Sequence, residues 1–138
     1  MMYLATCNRV EFIFSIPGNI PADAAQKLLS VFHPEWDKEK NEWGIKHALV
    51  FQGEAAVKHV FEVAASLDSL VVGEREIITQ VRAAYERSHE LKLTDDFIRI
   101  LIRKTIETAK RVYTDTKIAE KPVSVMSFGR HMDRYNAV

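Results

Sequence analysis

Cys7, the only cysteine in the chain, stands two residues before Arg9 and four before Glu11 in the run Thr6-Cys7-Asn8-Arg9-Val10-Glu11. A thiolate is a nucleophile, and a nearby cation favours the thiolate over the thiol. A guanidinium also presents a fork of donors that suits a carboxylate. Alternation along an extended strand would set Cys7, Arg9 and Glu11 on one face. The residues alone leave two readings of Cys7: a half-buried, inert side chain, or a nucleophile set among polar neighbours. His59 is the second candidate. At about 100° per residue it falls beside Val63, with Ala55 and Ser66 on the same side of a helix. It is either a satisfied packing histidine or the wall of a cleft. Ser69 lies in a run interrupted by Asp68 and Gly73, where one hydroxyl can simply brace a turn.

Apolar runs decide which elements position these residues. Met2, Tyr3, Leu4 and Ala5 before the polar run, with Phe12, Ile13 and Phe14 after it, read as one strand ending near Ser15. Pro17-Gly18-Asn19 is a turn, and Pro21 suits the first turn of a helix carrying Ala25, Leu28, Leu29 and Phe32, which His33-Pro34 ends. Residues 37–42 read as an exposed polar loop, residues 45–51 as a second strand, and residues 54–67 as a helix buried through Val57, Val60, Phe61, Ala64 and Leu67. Residues 67–73 are a turn between helices. A long helix follows over residues 74–91, with Ile77, Val81, Ala84, Ser88 and Leu91 at helical spacing. Thr94-Asp95-Asp96 starts another, whose stripe is Ile98, Ile102, Thr105, Ala109 and Val112. The expected fold class is α+β: a small β-sheet with a helix between its strands, followed by an antiparallel helical subdomain. The expected domain covers residues 1–121, with residues 122–138 as an exit segment. His33, His47 and His131 have no ligand set around them, no paired-ligand spacing occurs, and no metal is expected.

At 138 residues the chain suffices for a single core. One cysteine excludes an internal disulfide and fits a reducing compartment. No apolar stretch reaches bilayer length and no signal-peptide pattern opens the chain, so the expectation is a cytoplasmic protein without a membrane partner. The 19 Lys and Arg balance the 19 Asp and Glu, which argues against wholesale nucleic-acid binding and against a DNA partner. The charge is uneven, however. Residues 1–98 hold 10 basic against 15 acidic side chains, and residues 99–121 hold 7 against 3. That basic stretch is either a solvated helix face or a patch that meets tRNA.

Three ordered blocks carry a family resemblance. Thr6-Cys7-Asn8-Arg9-Val10-Glu11 resembles the T-C-N-R-x-E signature of glutamyl-tRNA reductase. Gly53-Glu54-Ala55-Ala56-Val57-Lys58-His59-Val60-Phe61, followed by Ser66-Leu67-Asp68-Ser69-Leu70-Val71-Val72-Gly73-Glu74, resembles its G-x-x-A-x-x-H-x-F and L-D-S-x-x-x-G-E stretches. Ala109-Lys110-Arg111-Val112 with Thr114, Thr116 and Ile118 is similar to the exit from the same domain. The resemblance implies that Cys7 attacks the ester of glutamyl-tRNA to form a thioester. His59 then acts by proton transfer or charge stabilisation, and Thr6, Asn8, Arg9 and Ser69 line the glutamate pocket. It also implies that NADPH, held by a dinucleotide-binding domain not present in this sequence, reduces the thioester to glutamate-1-semialdehyde for tetrapyrrole synthesis. Members of that family carry a further strand and helix ahead of the cysteine strand, and a long dimerising helix at the other end. Without them the Cys7 strand is expected to offer an edge at which a second copy pairs into a homodimer. Family members have glutamine where Glu76 stands, so no substrate role passes to Glu76. Two other readings remain: a non-catalytic tRNA-binding or regulatory module, and a cysteine-dependent hydrolase of small activated esters.

Overall fold

Two short strands separated by four residues open the chain: β1 (Met2–Ala5) and β2 (Val10–Ile13), paired antiparallel. The computed structural model describes residues 1–67 and 76–116. Five helices follow: α1 (Ala24–Phe32), α2 (Lys38–His47), α3 (Glu54–Ala64), α4 (Glu76–Glu90) and α5 (Asp96–Asp115). The α+β class holds. The expected helix between strands does not, because the stretch read as one strand folds back on itself at Thr6-Cys7-Asn8-Arg9. Four polar residues between two apolar runs are enough for a hairpin loop, and the Thr6 N–H closes it on the Arg9 carbonyl at 2.9 Å.

The chain divides into two compact units, residues 1–15 with 57–138, and residues 16–56. In the first, the core gathers Met2 and Leu4 of β1, Val60, Val63 and Ala64 of α3, Ile77 and Val81 of α4, and Ile98, Ile102 and Ala109 of α5. The strand lies against α4, and α4 packs on α5. Period-two alternation turns Met2 and Leu4 inward and leaves Tyr3 and Ala5 outside. Tyr3 pairs across the hairpin with Phe12, their ring centroids 5.2 Å apart on the outer face. The α5 stripe is buried as its spacing predicts, through Ile98, Ile102, Thr105 and Ala109, with Tyr113 buried and Val112 only half-buried. The α3 stripe is rotated: Val63 is buried, Phe61 half-buried and Leu67 exposed.

Helix ends in this unit are made by local hydrogen bonds. Asp95 caps α5, its carboxylate accepting from the Ile98 N–H at 2.9 Å. That N–H, and then the Ser15 hydroxyl, hold the Asp95 carboxyl below the ordinary carboxylate range. The ends of α3 and α4 share one device. Leu67 N–H donates to Glu62 O and Ser66 N–H to Val63 O; likewise Leu93 N–H donates to Ser88 O and Lys92 N–H to His89 O. These are Schellman pairs. Ser66 and Lys92 therefore take φ of +57° and +56°, where glycine is usual.

In the second unit, α1 packs against α2. The run expected as a polar loop is the first half of α2. Asp37 caps it by accepting from the Lys40 N–H at 2.9 Å, and Lys38 pairs with Glu42 one turn on. The second strand expected over residues 45–51 is absent, since Ile45, Lys46 and His47 complete α2 and residues 48–51 belong to no element. Pro21 does not begin a helix; it closes a turn with the Ala24 N–H, and α1 starts at Ala24. Gly18 turns the chain after β2 at φ +80°. Gly44 serves close packing: a Cβ there would meet the Trp36 ring at 2.8 Å and Leu29 at 3.0 Å.

Candidate active site

The hairpin register explains why a charged residue turns inward beside the core. Glu11 stands opposite Leu4, so both side chains leave the same face of the hairpin, the face that buries Met2 and Leu4. From there Glu11 Oε1 meets His59 Nε2 at 3.0 Å and Arg9 Nη1 at 3.2 Å. All three side chains are largely withdrawn from water, with 14% of Glu11, 19% of His59 and 16% of Arg9 exposed. Ion pairs this sheltered are screened far less by salt than surface pairs. His59 reaches the carboxylate because it shares the side of α3 that carries Val63 and Ser66, both buried. The rotation of the α3 stripe toward Val63 thus brings the histidine inward.

Cys7 lies in the loop between the strands and is exposed. The loop is braced from within. Thr6 Oγ1 donates to Asn8 Oδ1 at 2.9 Å, and the Asn8 N–H reaches back to Thr6 Oγ1 at 3.5 Å. Arg9 ends the loop through its carbonyl and joins the Glu11 carboxylate through its guanidinium. The expected single strand face of Cys7, Arg9 and Glu11 is therefore corrected: Cys7 sits on a turn, where alternation does not apply, while Arg9 and Glu11 meet by side-chain contact. Thr6 and Asn8 spend polar atoms on the loop itself. Ser69 lies outside the described residues.

The structure thus joins Arg9 with His59, which are 50 positions apart, through Glu11, a residue to which the sequence assigned no role. The signal was present, because Glu11 alternates with Ile13 on an otherwise apolar strand. An acidic side chain at an inward position needs a partner. His33 and His47 remain outside this cluster: His33 stacks on Trp36 and pairs with Glu35, and His47 lies in the last turn of α2 with Nδ1 2.7 Å from Trp43 O. Among the described residues no three His, Cys, Asp or Glu side chains gather as metal ligands, and no helix is long and apolar enough to cross a membrane.

A hairpin loop that presents a cysteine, backed by α3 and packed on two long helices, is the arrangement shared by one family of enzyme domains. The model described as glutamyl-tRNAGlu reductase, N-terminal domain, matches residues 1–116. The chain belongs to this family. Among curated relatives, the glutamyl-tRNA reductase of Syntrophobacter fumaroxidans is 35% identical over 125 residues, covering 91% of this chain and 27% of the relative. That of Geotalea uraniireducens is 39% identical, covering 88% of this chain and 27% of the relative. That of Methanopyrus kandleri is 36% identical, covering 90% and 27%. The chain therefore spans about a quarter of the length of these relatives. No solved structure matches it.

Proposed function

We propose that this chain is the acyl-transfer part of a glutamyl-tRNA reductase, acting in tetrapyrrole biosynthesis. Cys7 Sγ, as thiolate, attacks the carbonyl carbon of the glutamyl ester. The bond from that carbon to the ribose oxygen breaks, a thioester forms, and the ribose oxygen takes up a proton. Arg9 offers a cationic fork to the glutamyl carboxylate. His59 supplies the proton or stabilises charge on the acyl oxygen. Thr6 and Asn8 hold the loop that presents the thiol, and Ser69 lines the glutamate pocket. The observation that carries this reading is the exposed Cys7 on a braced loop whose closing residue, Arg9, shares one carboxylate with His59.

NADPH does not fit the described residues. A dinucleotide cradle needs a glycine-rich turn between a strand and a helix. Here the turn after β1 has no glycine, Gly44 is inside α2, and Gly53 precedes α3 without a strand before it. On this reading reduction belongs to the rest of a full-length reductase, and this chain contributes acylation alone.

Intact mass after mixing the chain with glutamyl-tRNA tests the proposal, beside Cys7→Ser. The expected result is a glutamyl adduct on the wild type and none on the variant, or Cys7-dependent deacylation if water reaches the thioester. Neither adduct nor Cys7-dependent deacylation would overturn it, and tRNA binding without either would assign a binding module instead. Oxidation of NADPH by this chain with glutamyl-tRNA would overturn the division of labour.

A further inference from the structure

We propose that Glu11 is a positioning residue: by taking the Nε2–H of His59 and the Nη1–H of Arg9 on one oxygen, it fixes the imidazole tautomer and makes Nδ1 the atom that moves the proton. The inference rests on the reading of Cys7 as an acylated nucleophile.

The chemistry of the three groups leaves little choice. An ionised carboxylate only accepts hydrogen bonds, and a guanidinium only donates. Arg9 beside Glu11 keeps the carboxylate ionised by offering it a cation at 3.2 Å. The imidazole nitrogen that lies 3.0 Å from the same oxygen must therefore carry a hydrogen. In the neutral ring that places the lone pair on Nδ1. During acylation Nδ1 takes the thiol proton as Sγ bonds to the carbonyl carbon, and returns it to the ribose oxygen as that bond to carbon breaks. The proton count closes with no further reagent.

The same contact fixes where the ring sits. Glu11 is held in β2 by its register opposite Leu4, and Arg9 ends the Cys7 loop, so one oxygen ties α3 to the residue that closes that loop. Arg9 alone would neutralise the carboxylate, and the histidine is not needed for charge balance. Its approach to a charge already matched is the feature that a purely structural ion pair does not require.

The test uses the whole chain. Nitrogen NMR of the His59 ring is expected to show the Nε2–H tautomer in the wild type and a mixture in Glu11→Gln, whose amide can donate as well as accept. Cys7-dependent acylation by glutamyl-tRNA is expected to fall about 100-fold in Glu11→Gln, the low end of what general acid–base catalysis supplies. Glu11→Asp should recover part of the rate. In a His59→Asn background Glu11→Gln should cost nothing more, since Glu11 acts through the ring. An Nδ1–H tautomer in the wild type overturns the proposal even if the variants fail to fold, and so does a full Glu11→Gln loss in the His59→Asn background. Absence of any wild-type acylation with the Nε2–H tautomer in place defeats the acyl-transfer reading, and with it the proton-transfer role of Nδ1, while the contact itself stands.

Discussion

A threonine hydroxyl sealed in a helical core must be matched or it weakens the fold. Thr105 of α5 is fully buried, and among the described residues its Oγ1 meets no hydrogen-bond partner. Thr105→Val keeps the branched shape and removes the unmatched oxygen. The expected gain in unfolding free energy is about 1–3 kcal/mol, the range that proteins show for burying an unpaired polar group. It is read as a higher urea midpoint at unchanged slope; a lower midpoint would show that the hydroxyl is bonded in solution. The same scale shows what a sequence can and cannot reveal about single residues. Cys7, Arg9 and His59 stand out by type and motif. The role of Glu11 does not, because it depends on a hairpin register opposite Leu4 and on the rotation of α3, and neither is a property of Glu11 itself. Thr105 was legible as a position on the α5 stripe, but its missing partner was not.

Among the elements, long periodic helices were legible and short exposed ones were not. The apolar stripe of α5 repeats at intervals of four and three over 15 residues, from Ile98 to Val112, and the fold buries it almost as spaced. Residues 38–43 of α2 contain one apolar side chain, so no stripe announces them; the helix is held by its Asp37 cap, the pair of Lys38 with Glu42 and packing at Gly44. The run read as a second strand fails because its apolar residues have no partner strand, and Ile45 is taken up by the helix before it. The hairpin was hidden for the opposite reason, since β1 and β2 are both strand-like and only the polar loop divides them. Element ends also carry a prediction. Lys92 closes the Schellman turn of α4 at φ +56°. For a residue with a Cβ this conformation costs roughly 1–2 kcal/mol, and glycine would repay about 0.4–1 kcal/mol of that through its greater freedom when unfolded. Lys92→Gly should therefore stabilise the chain by about 0.5–1 kcal/mol net, measured by chemical denaturation. Loss of stability would mean that the Lys92 side chain contributes more than its backbone costs. Ser66 has the same geometry at the end of α3, but it is fully buried with interactions of its own, so the exchange there is not a test of backbone strain alone.

At the scale of the whole molecule, burial is distributed so unevenly that the two units should differ in stability. Every buried hydrophobic side chain named for the chain, from Met2 to Tyr113, belongs to the unit formed by residues 1–15 and 57–138. Within residues 16–56 the one buried residue is Gly44, while Leu49 is 81% exposed and Val31 74%. Full burial of one such side chain stabilises by about 1.5–3 kcal/mol, so even two extra buried side chains outweigh any plausible difference in helix propensity, which is at most about 0.7 kcal/mol per ordinary residue. Opening of α1 and α2 should then be local and independent of the main core. Hydrogen exchange of the whole chain is expected to show their amides exchanging at least about 100-fold faster than the core amides of α4 and α5, equivalent to roughly 2.7 kcal/mol at tenfold per 1.4 kcal/mol. Equal protection in both units would mean that residues 16–56 unfold only together with the rest. The acylation site draws Cys7, Arg9, Glu11 and His59 wholly from the better-buried unit, so its geometry should persist through openings of α1 and α2. Conditions that release those two helices, checked by the same exchange measurement, should leave the His59 ring signal unchanged; a shift that tracks their opening would show that the site depends on them.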